Sequence, residues 1–167
     1  GTMQLGSILN EQIGEPCVSH PVEFHLFKQT REGKKRFRVR ALMFPVGEAE
    51  RLLSERAAES WLRQQSEYQR TDKGELPPIP GGLLIQERVY RFLVAALHCE
   101  EDPVCKLVGV DDYATFRAGL VNEQIDWLWE QYKAFIQREY PELAPIDKLK
   151  EEALKNSGAA QSAQDSY

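Results

Sequence analysis

No run of apolar residues in this chain approaches the roughly 20 needed to span a bilayer, so no membrane partner is expected. Gly1-Thr2-Met3-Gln4 has neither a basic region nor a hydrophobic stretch, so no signal peptide is expected, and Gly1-Thr2 reads as a remnant of cloning. Cysteine is scarce. Cys17, Cys99 and Cys105 are odd in number and lack C-x-x-C spacing, which argues against a disulfide framework. Such thiols fit a reducing compartment, and the cytoplasm is the expected location. Excess positive charge is also missing. A net charge of −5 and a pI near 5.3 offer nucleic acid and anionic lipid no global attraction. There is no phosphate-cradling loop, because Pro80-Gly81-Gly82 lacks the Lys-Ser/Thr that must follow. No internal repeat is visible.

What remains is enough for one core. With 167 residues and 42% hydrophobic content, the chain should fold as a single domain without a metal or disulfide. The domain is expected over residues 4–146. Residues 147–155 read as a weak charged helix, and the end, poor in large apolar residues, reads as a disordered tail to Tyr167.

Two periodicities organise the middle of the chain. Val22, Phe24 and Leu26 alternate with Glu23, His25 and Phe27. Past the polar, Gly-bearing segment 29–34, Phe37, Val39 and Ala41 alternate with Arg36, Arg38 and Arg40. This pattern predicts a β-hairpin, strands at about 22–28 and 36–42, with one wet face. An isolated hairpin is marginal in water, so helices must cover the other face.

The remaining segments repeat at helical spacing. One helical turn is expected near Ile8-Leu9. A helix from Glu48 to about Gln69 would bury Ala49, Leu52, Leu53, Ala57, Trp61 and Leu62. The segment 71–82 reads as a long loop, since its prolines and glycines break regular structure. A helix from Leu83 to His98 carries Leu84, Val89, Phe92, Leu93, Ala96 and Leu97 on its stripe. A short helix capped by Asp111 or Asp112 runs through Tyr113, Phe116 and Leu120. The last long helix, capped by Asn122, buries Ile125, Leu128, Trp129, Tyr132, Phe135 and Ile136. The fold expected is α+β, a β-hairpin packed on a body of three to four helices.

Candidate chemistry is thin. His98, Cys99 and Cys105 are the nearest approach to a metal or nucleophile cluster, but structural zinc takes four ligands in paired spacings. A histidine near the negative end of a helix is the better reading of His98. His20 and His25 have no triad partners. No catalytic residue, metal or cofactor is expected, and the chain is not read as an enzyme.

Binding features are richer. Lys28, Arg31, Lys34, Lys35, Arg36, Arg38 and Arg40 concentrate cations on the hairpin. Such a ribbon could anchor on phosphates, but in an acidic chain a solvated face, or a surface for an acidic protein, is favoured. Trp129 falls on the apolar stripe of its helix. Trp127 falls off it, where an exposed indole would serve as an interface anchor. Trp127, Arg36, Arg38, Arg40, Tyr113 and Phe116 are the candidate contact residues.

Three stretches together resemble the tail assembly chaperones of long-tailed phages and prophages. They are Phe37-Arg-Val-Arg-Ala-Leu-Met-Phe-Pro-Val-Gly-Glu-Ala-Glu, then Val89-Tyr-Arg-Phe-Leu-Val-Ala-Ala-Leu-His-Cys-Glu-Glu-Asp-Pro, then Val110-Asp-Asp-Tyr-Ala-Thr-Phe-Arg with Ile125-Asp-Trp-Leu-Trp-Glu-Gln-Tyr. The likeness lies in layout over residues 20–141, since the family has no invariant catalytic motif. The loop at 71–82 and the N-terminal segment have no counterpart in it. The resemblance implies a protein that coats the long helical tape measure protein and leaves as the tail tube assembles, with the tail tube protein as a second partner. The rival reading is a small DNA-binding regulator that uses the basic hairpin. Neither reading fixes an oligomeric state.

Overall fold

The computed structural model describes residues 4–143. The expected helix at 147–155 and the tail beyond it lie outside the described residues, as do the last positions of the expected domain.

Two strands form the hairpin, β1 (His20–Thr30) and β2 (Gly33–Met43), antiparallel and in unbroken register from His20↔Met43 to Thr30↔Gly33. Both run past the apolar alternation that announced them. The ladder continues through Lys28↔Lys35 to Thr30↔Gly33, because pairing does not require apolar side chains. The turn is two residues, Arg31-Glu32, and Gly33 closes it at φ +113, a conformation that strains any residue with a Cβ.

A third strand, β3 (Leu97–Cys99), pairs antiparallel with the end of β2, giving the order β1-β2-β3. The sequence pattern had placed these residues in a helix ending at His98. The helix instead stops at Ala96, and three tertiary hydrogen bonds take over. Phe44 N–H donates to Ala96, Leu107 N–H to Leu97 and Cys99 N–H to Cys105, at 2.9–3.0 Å. Partners on the distant β2 and on the segment just beyond, invisible to helical periodicity, make the strand the lower-energy choice.

The described residues form five helices, α1 (Leu5–Glu11), α2 (Glu48–Arg63), α3 (Gly81–Ala96), α4 (Tyr113–Gly119) and α5 (Asn122–Glu139). This is an α+β fold, with helix well in excess of strand. The helix beyond the expected number is α1, which buries none of its side chains. Among the described residues no helix is long and apolar enough to cross a membrane. Helix α5 opens with Val121, not Asn122, at its N-cap position, and Asp112 precedes α4 without a side-chain capping bond.

One buried cluster holds the layers together. The inner sheet face contributes Val22, Phe24, Ala41 and Met43. The stripes of α3 and α5 meet it as their spacing predicts, with Leu93, Ala96, Leu128 and Phe135 wholly buried. Aromatic rings interlock edge to face, Phe24 on Phe116 at 6.3 Å and Phe92 on Tyr132 at 5.0 Å, the geometry their quadrupoles favour. The Tyr132 hydroxyl accepts a hydrogen bond from Val46 N–H at 2.9 Å, which ties the exit of the sheet to α5. Burial pushes that phenol up to about 12.

Helix α2 departs from its expected stripe. Ser54, Ala58 and Leu62 are buried, whereas Leu52 and Leu53 face solvent. Its main neighbour is α3, and two of its three buried residues, Ser54 and Ala58, are small. The pair of leucines that looked like core is therefore left on the outside.

Candidate partner-binding surface

The hairpin reaches beyond the helices that cover its base. Phe37, on the inward row opposite Leu26, was expected to be buried but is 44% exposed. Its row runs past the end of the core. Alternation places Glu23, His25, Phe27, Gln29, Lys34, Arg36, Arg38 and Arg40 on the outer face. Lys28 and Lys35 fall on the opposite face, at the overhanging tip. The hairpin strands and turn carry seven cations and two carboxylates, a net of +5; the chain total of −5 then leaves −10 on the remainder. The charge is strongly segregated.

Part of that positive face is neutralised within the chain. Arg38 pairs with Glu23 on β1, and Arg40 pairs with Glu100, the residue after β3, at 3.4 Å. Arg36 has no ion-pair partner among the described residues. Lys34 sits 5.7 Å from the centre of the Phe27 ring, a cation–π contact.

Trp127 is 43% exposed, as its off-stripe position predicts. Its surroundings follow from helix spacing. Gln124 Oε1 accepts the N–H of His25 at 2.8 Å, and Gln131 Oε1 lies 2.9 Å from His20 Nε2. Trp127 is three residues after the first and four before the second, so it lies on the side of α5 that runs beside β1. A shallow cleft of about 330 Å³ opens between α3 and α5, lined by Ile85, Val89, Ile125 and Trp129, with Asn122 and Asp126 at its edge. On α1, Leu5 and Leu9 are exposed, and Ile13 follows at the next helical repeat, also exposed.

Tyr113 and Phe116 do not belong to this surface. They are 3% and 2% exposed, so in this conformation neither offers a ring to a partner. The short helix that carries them packs its aromatic side against β1 and α3. Its last residue, Gly119, explains the fit: a Cβ there would stand 2.9 Å from the Phe27 carbonyl oxygen. Only glycine lets α4 come this close to β1.

Tyr113 belongs to a buried polar cluster that sequence reasoning passed over. Glu87, wholly buried on α3, accepts hydrogen bonds from the Tyr113 hydroxyl and from Arg117 Nε, the latter at 2.7 Å. The Arg91 guanidinium lies 3.4 Å above the Tyr113 ring, and Trp61 packs edge-on to that ring at 5.0 Å. Desolvation, then the hydrogen bond to Glu87, raise the Tyr113 phenol well above its ordinary value. The available signal was a lone carboxylate three residues from each of two buried positions, Leu84 and Tyr90. Open to water at Arg117, whose side chain is 32% exposed, this cluster fastens α3 to α4.

His98 and Cys99 neighbour each other on β3, so their side chains leave opposite faces. His98 is not at a helix end. Its Nδ1 is 2.6 Å from the Pro103 carbonyl, which can only accept, so Nδ1 carries the proton and Nε2 faces the Lys106 ammonium at 3.4 Å. The Cys105 thiol donates to Asp102 at 3.2 Å, and that bond raises its pKa, which disfavours the thiolate. Among the described residues no group of three or more His, Cys, Asp or Glu is placed to hold a metal ion.

Compared with family models, curated proteins and solved structures, the chain matches none of them.

Proposed function

We propose that this chain binds another protein, and specifically that it is a tail assembly chaperone that keeps the helical tape measure protein of a long-tailed phage soluble in the bacterial cytoplasm. The observation that carries the reading is Trp127, a large indole held 43% exposed on a well-packed helix. Buried aromatic anchors dominate interface energies, and an exposed Trp is an anchor waiting for its pocket. The exposed leucines of α2 and α1 and the cleft beside Trp129 supply further apolar contact area, as reversible coating of a helical partner requires. The resemblance over residues 20–141 supplies the partner's identity, with the tail tube protein as a second partner. The titratable groups that converge do so inside the core or in ion pairs, which favours binding over catalysis.

Co-expression with the tape measure protein of the same genome tests the proposal directly. Trp127→Ala should weaken its capture more than about tenfold, the effect of losing a hot-spot residue, while the melting temperature holds. Arg38→Glu should weaken it less and in a salt-dependent way. If the tape measure protein is equally insoluble with and without this chain, and never co-purifies, the chaperone reading fails.

One observation favours the rival reading, the +5 of the hairpin. A regulator that grips DNA with this ribbon should retard duplex DNA at low salt, with affinity falling steeply as salt rises. A chaperone should not.

A further inference from the structure

The two long edges of the hairpin end differently. On β1, His25 donates its N–H outward to Gln124 and the Phe27 carbonyl is packed against Gly119, so that edge is closed. Because His25 points away from β2, the His25↔Arg38 pair exchanges no backbone bonds. By the antiparallel rule, Phe27↔Arg36 and Gln29↔Lys34 exchange none either. The N–H and C=O groups of Lys34, Arg36 and Arg38 therefore point to the far side of β2. There β3 covers only positions 41–43. The three residues are exposed, and their outward backbone groups meet no partner among the described residues.

We infer that this open edge, residues 34–40 of β2, takes up an extended acidic segment of a partner protein as an added β-strand. Three features of the edge select that occupant. First, it presents donors and acceptors in alternation, which another peptide backbone matches on both counts; a phosphate backbone, which only accepts, would satisfy half of them. Second, Arg36, Arg38 and Arg40 stand in one row on the outer face, and the chain already shows what they pair with. Glu23 meets Arg38 from the β1 side, and Glu100, one residue past β3, meets Arg40 from the other. A strand that continues where β3 stops would bring carboxylates to Arg36 and Arg38 in the same way. Third, the edge rejects a second copy of itself. Antiparallel pairing of β2 with β2 would set arginine against arginine along the row, which is destabilising. Cationic edges are a recognised defence against self-pairing, and the same charges favour an acidic strand. On the inner face, exposed Phe37 and half-buried Val39 offer the added strand apolar neighbours. The inference shares Arg38 with the chaperone reading but does not use Trp127, and the peptide titration below succeeds or fails without the tape measure protein.

A fluorescein-labelled ten-residue peptide of alternating glutamate and valine is the probe, titrated against the full chain by anisotropy at low salt. It should bind, and a lysine–valine counterpart should bind at least about tenfold more weakly, as charge complementarity requires. Arg36→Glu should weaken the acidic peptide by about tenfold while the circular dichroism spectrum and melting temperature hold, since Arg36 supports nothing in the fold. N-methylation of alternate peptide residues is the decisive measurement. Methylation in one register should abolish binding, and in the other should leave it nearly intact, because only one set of N–H groups can face β2. Equal loss, or no loss, in both registers would show that no strand ladder forms. Binding of a 20-nucleotide single-stranded DNA without binding of the peptide would also overturn the inference. In the free chain, amide exchange should be fast at Lys34, Arg36 and Arg38 and slow at Phe37 and Val39. Protection of the first set at every dilution would put the chain's own segment on the edge, and protection that grows with concentration would put a second copy there. Either result would refute a vacant docking edge.

Discussion

Replacing Arg117 by methionine should cost about 2–3 kcal/mol of folding stability, near the low end for breaking a buried ion pair. The reasoning starts from Glu87, which is wholly buried and has two bonding partners, Tyr113 and Arg117. A carboxylate enclosed this way that loses its cation keeps its desolvation penalty without the compensating attraction. Breaking such pairs costs about 3–5 kcal/mol when both members are fully enclosed. Arg117 is not, since its side chain is 32% exposed, so water can enter behind a shorter residue and soften the loss. For a chain of this size, 1 kcal/mol moves the melting temperature by about 2–4 °C, so a fall of roughly 5–10 °C is expected. Glu87→Leu alone strands the Arg117 guanidinium and the Tyr113 hydroxyl and should also destabilise. The double substitution Glu87→Leu/Arg117→Met removes both charges and should be milder than the sum of the two, with a coupling of at least about 1 kcal/mol. Urea unfolding followed by tryptophan fluorescence reads all three variants, because Trp61 packs against Tyr113 within this cluster. Additivity within about 0.5 kcal/mol would refute the argument, as would an Arg117→Met variant as stable as the parent.

Gly119→Ala should destabilise by about 1–3 kcal/mol, the usual cost of overpacking, because its Cβ would meet the Phe27 carbonyl; an unchanged urea midpoint would deny the close approach of α4 to β1. Tyr113 and Tyr132 are both raised in the folded state relative to an unfolded tyrosine near pH ~10, so their contribution is complete below that pH and lost as pH rises beyond it. The urea midpoint should accordingly fall between about pH 10 and 12, more gently in Tyr113→Phe, and a flat profile would contradict the burial of both phenols. Asp102→Ala removes the carboxylate that holds the Cys105 thiol protonated, so alkylation of Cys105 at pH 8 should accelerate severalfold. Phe135→Ala should cost about 3–5 kcal/mol, the penalty for emptying a fully enclosed ring site, and Trp127→Ala far less.

Much of the fold was legible in local pattern. Alternation at 22–26 and 37–41 determined the hairpin and its inner face, and 3.6-residue spacing determined the buried stripes of α3 and α5. The same spacing put Trp127 outside its stripe, and the exposed indole follows. These features depend only on a residue's neighbours along the chain, so the sequence by itself determined them. What a stripe packs against is another matter. Leu52 and Leu53 have helical apolar spacing yet face solvent, because α3 takes the line through Ser54 and Ala58. Phe37 has inward parity yet is exposed, because no helix among the described residues covers it, while Tyr113 and Phe116 have partners that enclose them. Residues 97–99 became a strand only because β2 and residues 105–107 stood ready to pair with them. Glu87 is tolerable inside the core only because Arg117 and Tyr113 arrive from another helix. The closed edge of β1 and the open edge of β2 differ in nothing that local periodicity can express. Tertiary structure decided which one Gln124 and Gly119 would seal, because sealing an edge takes groups brought from about 100 residues away along the chain.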